Sequence, residues 1–428
     1  MKKIPFPQLN EQLYFEKLKN GLDVYILPKK GFHKTFATFT TKYGSIDDHF
    51  VPIGNQTEKI VPDGIAHFLE HKLFEKEDGD VFHTFSKQGA SANAFTSFTR
   101  TAYLFSATSN VKENLRTLLD FVQEPYFTDQ TVEKEKGIIG QEIQMYEDHP
   151  DWRLYFGTIE NMYHHHPVKT NIAGTIESIS HITKELLYEC YHTFYHPSNM
   201  LLFIVGPVDP REILDFVQEN QRKKSFSKDM EIQRIRKEEP DHVLKKNRFI
   251  SMNVRIPKCM VGIKGNFIRQ RGREMMKTEL TVQLLLDMLF SKSSGQYEKL
   301  YNEGLIDDTF SADYTQEENF GFALVGGDTK DPDRLAEFIQ KTFHFVKKGE
   351  ILTEEQLNRV KKKKIGTFLR LLNSPEYIAN QFTRYAFNGM NLFEAVPVLE
   401  TITFEDLMNV SEQFIDENRM TSFQIVPK

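Results

Sequence analysis

The chain has 428 residues, with 54 Lys and Arg against 60 Asp and Glu and a formal net charge of -6. That balance argues against a nucleic-acid binder, which concentrates basic charge on one surface, and no window approaches the ~18 apolar residues of a membrane span. The length suggests two or three domains. Two cysteines, Cys190 and Cys259, stand far apart in no paired motif, which excludes a disulfide framework and fits a reducing compartment. With no apolar stretch behind Lys2 and Lys3, the expected location is the cytoplasm.

In chain order, Leu13–Pro28 reads as a hairpin turning at Lys19-Asn20-Gly21, and Thr35–Tyr43 as a further strand. The turn Pro62-Asp63-Gly64 precedes a helix over His67–Phe74, and a shorter helix follows over Asp80–Lys87. Ala92–Ala107 is rich in strand formers. Asn110 is placed to cap a helix reaching Glu124, and Thr128-Asp129 opens a long helix to Tyr146. Thr183–Tyr195 is read as helix and Met200–Val205 as strand. The stretch 221–242 is polar, charge-dense and aperiodic, and is read as a linker. Lys361–Lys364, the most basic run, is read as a solvated helix face.

The second half echoes the first. Ile182–Val205 aligns without a gap on Ile402–Ile425 at an offset of 220 residues, with Thr183/Thr403, Glu185/Glu405, Phe194/Phe414 and Met200/Met420 identical. Thr128-Asp129-Gln130-Thr131-Val132 similarly resembles Thr353-Glu354-Glu355-Gln356-Leu357. The expected architecture is therefore α+β in two homologous halves, each a mainly antiparallel sheet packed with helices.

His67-Phe68-Leu69-Glu70-His71 puts two imidazoles and a carboxylate within one helical stretch. At about 100° per residue, His67 and His71 lie about 40° apart with Glu70 beside them, while Phe68 and Leu69 point the other way. One face can hold a metal while the other enters a core. The order H-x-x-E-H reverses H-E-x-x-H and marks the inverted zincins. Catalytic zinc usually takes three protein ligands, so a third must come from elsewhere. Glu142 is the candidate: placed on one stripe with Val132, Ile138, Ile139 and Met145, it points coreward, where a carboxylate is costly without a cation. Glu135, on nearly the same face, can accept a hydrogen bond from a ligand imidazole. His164-His165-His166-Pro167 reads as a polar loop, and His83, His192 and His196 as structural. The second half has no counterpart of His67, Glu70 or His71.

His67–His71, then Gly89-Ala90-Ser91-Ala92-Asn93-Ala94-Phe95-Thr96 and Tyr103, then Glu135–Ile143, together resemble the pitrilysin/insulysin family of zinc peptidases, in a short form akin to the mitochondrial processing peptidases. The resemblance implies one zinc ion on His67, His71 and Glu142, Glu70 as general base, Glu135 as a supporting acid, and Asn93 beside the edge strand that binds substrate. It implies an endopeptidase acting on peptides or unfolded segments, with residues 1–220 as the catalytic zinc-binding domain, 221–242 as linker and 243–428 as the homologous domain without metal. One departure stands out. The family's active enzymes hold the substrate carbonyl with an Arg and a Tyr of the second half, whereas the matching stretch here, Lys299-Leu300-Tyr301-Asn302-Glu303-Gly304-Leu305-Ile306-Asp307, has no Arg, and Ile306 or Asp307 stands at the Tyr position. The resemblance then implies a homologous partner subunit that supplies both groups, or a homodimer. The competing expectation is a non-catalytic scaffold or chamber subunit.

Overall fold

The computed structural model describes residues 1–226, 231–349 and 351–428. Helices and mainly antiparallel sheets form two compact units. The first comprises Met1–Gln144, Thr170–Arg236 and Leu371–Phe387; the second comprises Met145–Lys169, Lys237–Arg370 and Asn388–Lys428.

The first unit is built on a seven-stranded sheet in the order Lys2–Phe6, Glu11–Lys17, Asp23–Pro28, Met200–Gly206, Thr35–Thr41, Thr101–Ala107, Ala90–Thr96. Asp23–Pro28 and Met200–Gly206 run parallel, and the other neighbours antiparallel. Met200–Val205 is an unbroken apolar run, as a strand covered on both faces requires, and all of its residues are buried. The second unit's sheet runs Asn247–Met252, Met420–Pro427, Lys258–Lys264, Gly321–Asp328, Ser311–Gln316. It repeats the last five strands of the first sheet, parallel pair included. Thr183 and Thr403 cap the helices that precede Met200–Gly206 and Met420–Pro427, their hydroxyls accepting from Leu186 N–H and Asp406 N–H. The two halves predicted from the sequence echo are thus equivalent folds.

The compact units depart from the contiguous division 1–220, 221–242 and 243–428. Helix Pro150–Met162, which follows the long helix Asp129–Asp148, packs on Met420–Pro427 and Lys258–Lys264 in the second unit. Its counterpart Pro375–Phe387, which follows Glu354–Leu371, packs on Met200–Gly206 and Thr35–Thr41 in the first. Each helix buries its apolar face where it lands. The Phe382 ring lies 4.6 Å from Phe203 and 4.8 Å from Tyr25, and Leu154 clusters with Phe423 and Ile425. Gly157 permits the close approach, because a Cβ there would come within 2.4 Å of the Phe423 ring.

Within the expected linker, residues 227–230 lie outside the described residues. Flanking parts are tied down. Gln233–Arg234 pairs as a strand with His49–Val51, and Arg234 and Arg236 both reach the buried Asp47 carboxylate. Further on, Glu239 accepts the successive backbone N–H groups of His164, His165 and His166 at 2.7–2.8 Å and pairs with Lys264. The three-histidine loop therefore wraps a carboxylate with its backbone. Asn110 also differs from expectation: it sits at the N-cap of Val111–Gln123 in a left-handed conformation, φ 51°, without a side-chain cap, and its amide donates to the Gln88 carbonyl instead.

Candidate metal centre

The motif helix spans Ile65–Leu73 and begins at Gly64. That glycine has φ 88°, and a Cβ on it would meet the Ala173 carbonyl oxygen at 2.4 Å, so both backbone conformation and space demand it. Phe68, Leu69 and Leu73 are fully buried and anchor one side of the helix. The other side carries His67 and His71, with ring centroids 4.6 Å apart, and Glu70.

Asp129–Asp148 brings two more carboxylates. Nε2 of His67 lies 3.7 Å from Glu142, and Nε2 of His71 lies 3.6 Å from it. Nδ1 of His71 meets Glu135 at 3.0 Å. The stripe expected to carry Glu142 inward is shifted: Val132, Glu135, Ile139 and Ile143 are the buried positions, while Ile138 and Met145 are exposed. Glu142 flanks that stripe and is half-buried, so it reaches the imidazoles from the side of the helix rather than from its core face.

The donor set fits a metal. Spacings of 3.6–3.7 Å are too long for hydrogen bonds, yet near the roughly 3.3–3.5 Å that bonds of ~2.0–2.1 Å to one tetrahedral ion impose. Nδ1 of buried His67 has no hydrogen-bond partner among the described residues, and its Nε2 faces the Glu142 carboxylate. Ligand atoms of His67, His71 and Glu142 all lie within 4.8 Å of one another, and no other such group occurs among the described residues. Two imidazoles and a carboxylate are a donor set characteristic of catalytic zinc.

Burial, followed by the neighbouring His71, pushes the His67 imidazole down to about 4, which keeps it neutral and able to ligate near pH 7. Burial also lowers His71, but the Glu135 hydrogen bond and the nearby Glu70, Glu135 and Glu142 carboxylates outweigh it and raise its pKa. Glu70 is pushed up to about 7, mainly by burial, against the stabilising hydrogen bond from Thr96. The Thr96 hydroxyl donates to Glu70 at 2.6 Å and lies 3.2 Å from the Thr101 hydroxyl, which donates to the Tyr43 carbonyl. Sequence reading passed over this pair. The signal was the hairpin register, in which Thr96 stands directly opposite Thr101.

Glu70, His71, Glu135, Asn93 and Ala94 line one side of a cavity of about 670 Å³. Asn93 is exposed, and its side-chain Oδ1 accepts from Ala94 N–H at 2.9 Å. It lies on Ala90–Thr96, the last strand in the sheet order, which pairs on one side only among the described residues. His83 and His192 are exposed, and His196 binds Ser198 beside a turn. In the second unit, Ile306 is buried and the Asp307 carboxylate accepts from Thr309.

The fold and this cluster define a duplicated α+β protein with a candidate metal centre in its first half. A family model described as Insulinase (Peptidase family M16) matches residues 50–176, and one described as Peptidase M16 inactive domain matches residues 181–364. The "Uncharacterized zinc protease YmfH" of Bacillus subtilis (strain 168) is 64% identical over 428 residues, the whole of both chains. A crystal structure of a "putative M16-like peptidase" from Alicyclobacillus acidocaldarius matches at 41% identity and TM-score 0.95, over 99% of this chain and 100% of that one. The periplasmic protease PqqL from Escherichia coli shares the fold at 16% identity and TM-score 0.76, with all of this chain matching 48% of that one. The chain belongs to the insulinase family, peptidase family M16, and the resemblance drawn from its motifs holds at the level of family.

Proposed function

We propose that the protein is a zinc-dependent endopeptidase that hydrolyses peptides or unfolded segments, with one zinc ion on His67, His71 and Glu142. The observation that carries this reading is the convergence of those three side chains beside a buried carboxylate at about 7. When bound, zinc polarises the scissile carbonyl and acidifies water. Glu70 takes the water's proton and passes it to the leaving amine, work for which a pKa near the operating pH is suited. Thr96 fixes the carboxylate's direction, and Glu135 orients His71. An extended peptide adds to the open edge of Ala90–Thr96 beside Asn93.

A homologous partner subunit, or a second copy, completes substrate binding by supplying an Arg and a Tyr. Support comes from the stretch Lys299–Asp307, which has no Arg and carries Ile306 or Asp307 at the Tyr position, and from the match to about half of the PqqL chain. The free, buried Cys190 and Cys259 support the expected cytoplasmic location. The test is zinc content and cleavage of a fluorogenic peptide, for the chain alone and with a homologue carrying Arg and Tyr. Zinc at one equivalent and turnover abolished by Glu70→Gln support the reading. No zinc after repletion refutes the site, and zinc without turnover in any pairing favours the scaffold.

A further inference from the structure

The two sheets differ at one edge. In the first, Asp23–Pro28 is covered by Glu11–Lys17 and then Lys2–Phe6. Its counterpart Asn247–Met252 pairs with Met420–Pro427 and with no other strand among the described residues. The Lys246 carbonyl accepts from Ser422 N–H, and the Met252 carbonyl from Lys428 N–H. In a parallel ladder the alternate residues then turn away, so Asn247, Phe249 and Ser251 offer N–H and C=O groups to the open side. All three are exposed, and Phe249 is 68% exposed, unusual for an aromatic side chain in a strand.

Beside this edge the helix Pro332–Lys347 forms the wall of two cavities of about 440 and 710 Å³ that share Asn247 and Gln340. The larger is lined by Lys246, Lys341, Lys347 and Lys348 against a single carboxylate residue, Glu417. Lys347 and Lys348 pair with no described carboxylate. Exposed Phe345 lies among them.

We propose that the Asn247–Met252 edge is a docking site for an extended acidic segment of another polypeptide. The segment adds as a sixth strand to this sheet, sets an apolar residue against Phe249, and directs carboxylates to the lysine cluster. Main-chain pairing supplies affinity and the lysines supply selectivity. The site lies wholly in the second unit and does not depend on the zinc reading.

The test is fluorescence anisotropy with a fluorescein-labelled dodecapeptide of alternating Val and Glu, on full-length protein carrying Glu70→Gln so that cleavage does not intervene. The Val–Glu peptide is expected to bind at least tenfold tighter than a Val–Lys counterpart, and Lys347→Glu with Lys348→Glu to remove that preference. Ser251→Pro deletes an outward N–H without touching the existing ladder and is expected to weaken binding at least tenfold at unchanged melting temperature. Hydrogen exchange on the Glu70→Gln protein alone gives a second readout, with Asn247, Phe249 and Ser251 amides gaining protection when peptide is added. Equal affinity for both peptides, or no gain of protection at those amides, overturns the proposal. So does charge-dependent binding indifferent to Ser251→Pro, which would mean a basic surface only. A dimer that Ser251→Pro converts to monomer would make a second copy the occupant and equally overturn it.

Discussion

Glu70 combines two properties that substitution can separate: burial holds its carboxyl near neutrality, and the Thr96 hydroxyl fixes where it points. Glu70→Gln keeps an acceptor for Thr96 but no proton-transfer group. It is expected to retain zinc while peptide hydrolysis falls by about 10²–10⁴, read by metal analysis and a fluorogenic assay on the same sample. Glu135→Gln weakens the grip on His71 Nδ1 and is expected to lower zinc affinity by roughly 10–100-fold, measured by competition with a chelator. Away from the candidate metal centre, burial pushes the Glu239 carboxyl up, but the Lys264 ammonium and the N–H groups of His164, His165 and His166 outweigh it and hold it at about 2. Because the folded value lies below the ordinary 4.5, the stabilisation is complete above that pH and fades as the pH falls toward 2. Glu239→Gln is expected to cost about 1–2 kcal/mol at pH 7, a figure reduced for solvent screening, and to flatten the acid limb of urea midpoints.

The exchanged helices carry the clearest element-scale prediction. Phe382 sits far along the sequence from Phe203 and Tyr25, yet packs on both. Phe382→Ala is expected to destabilise the first unit by about 3–4 kcal/mol, seen as a lower denaturation midpoint and faster exchange of Met200–Gly206 amides. Much at this scale was legible from periodicity and punctuation. The Leu13–Pro28 hairpin, the motif helix and the Met200 strand all follow from local pattern. The H-x-x-E-H spacing placed both histidines and Glu70 on one face without further help. What local pattern lacked was long-range partnership. Asn110 looked like a cap, but its amide found the Gln88 carbonyl. Ile138 and Met145 looked like core, but the helix rotated to bury Glu135 and Ile143. Pro150–Met162 and Pro375–Phe387 carry apolar faces that say they will be buried, and nothing in either segment says under which sheet.

For the whole molecule, the reciprocal exchange means that cutting at the apparent boundary leaves both pieces defective. A fragment ending at residue 220 lacks the helix that covers Thr35–Thr41 and Met200–Gly206, and carries one whose apolar face belongs against Met420–Pro427. Such a fragment is expected to show no cooperative thermal transition, whereas co-expression with residues 221–428 restores one. The same connectivity sets a timetable during synthesis. The proposed zinc ligands and all seven strands of the first sheet are made by Gly206, but the helix that closes over that sheet ends at Phe387. At ~5–20 residues per second, the ribosome adds those roughly 180 residues over about 10–40 s, during which Phe203 and Tyr25 stay uncovered. The nascent chain in that interval is a natural client for chaperones that shield apolar surface, and slower elongation would lengthen its exposure.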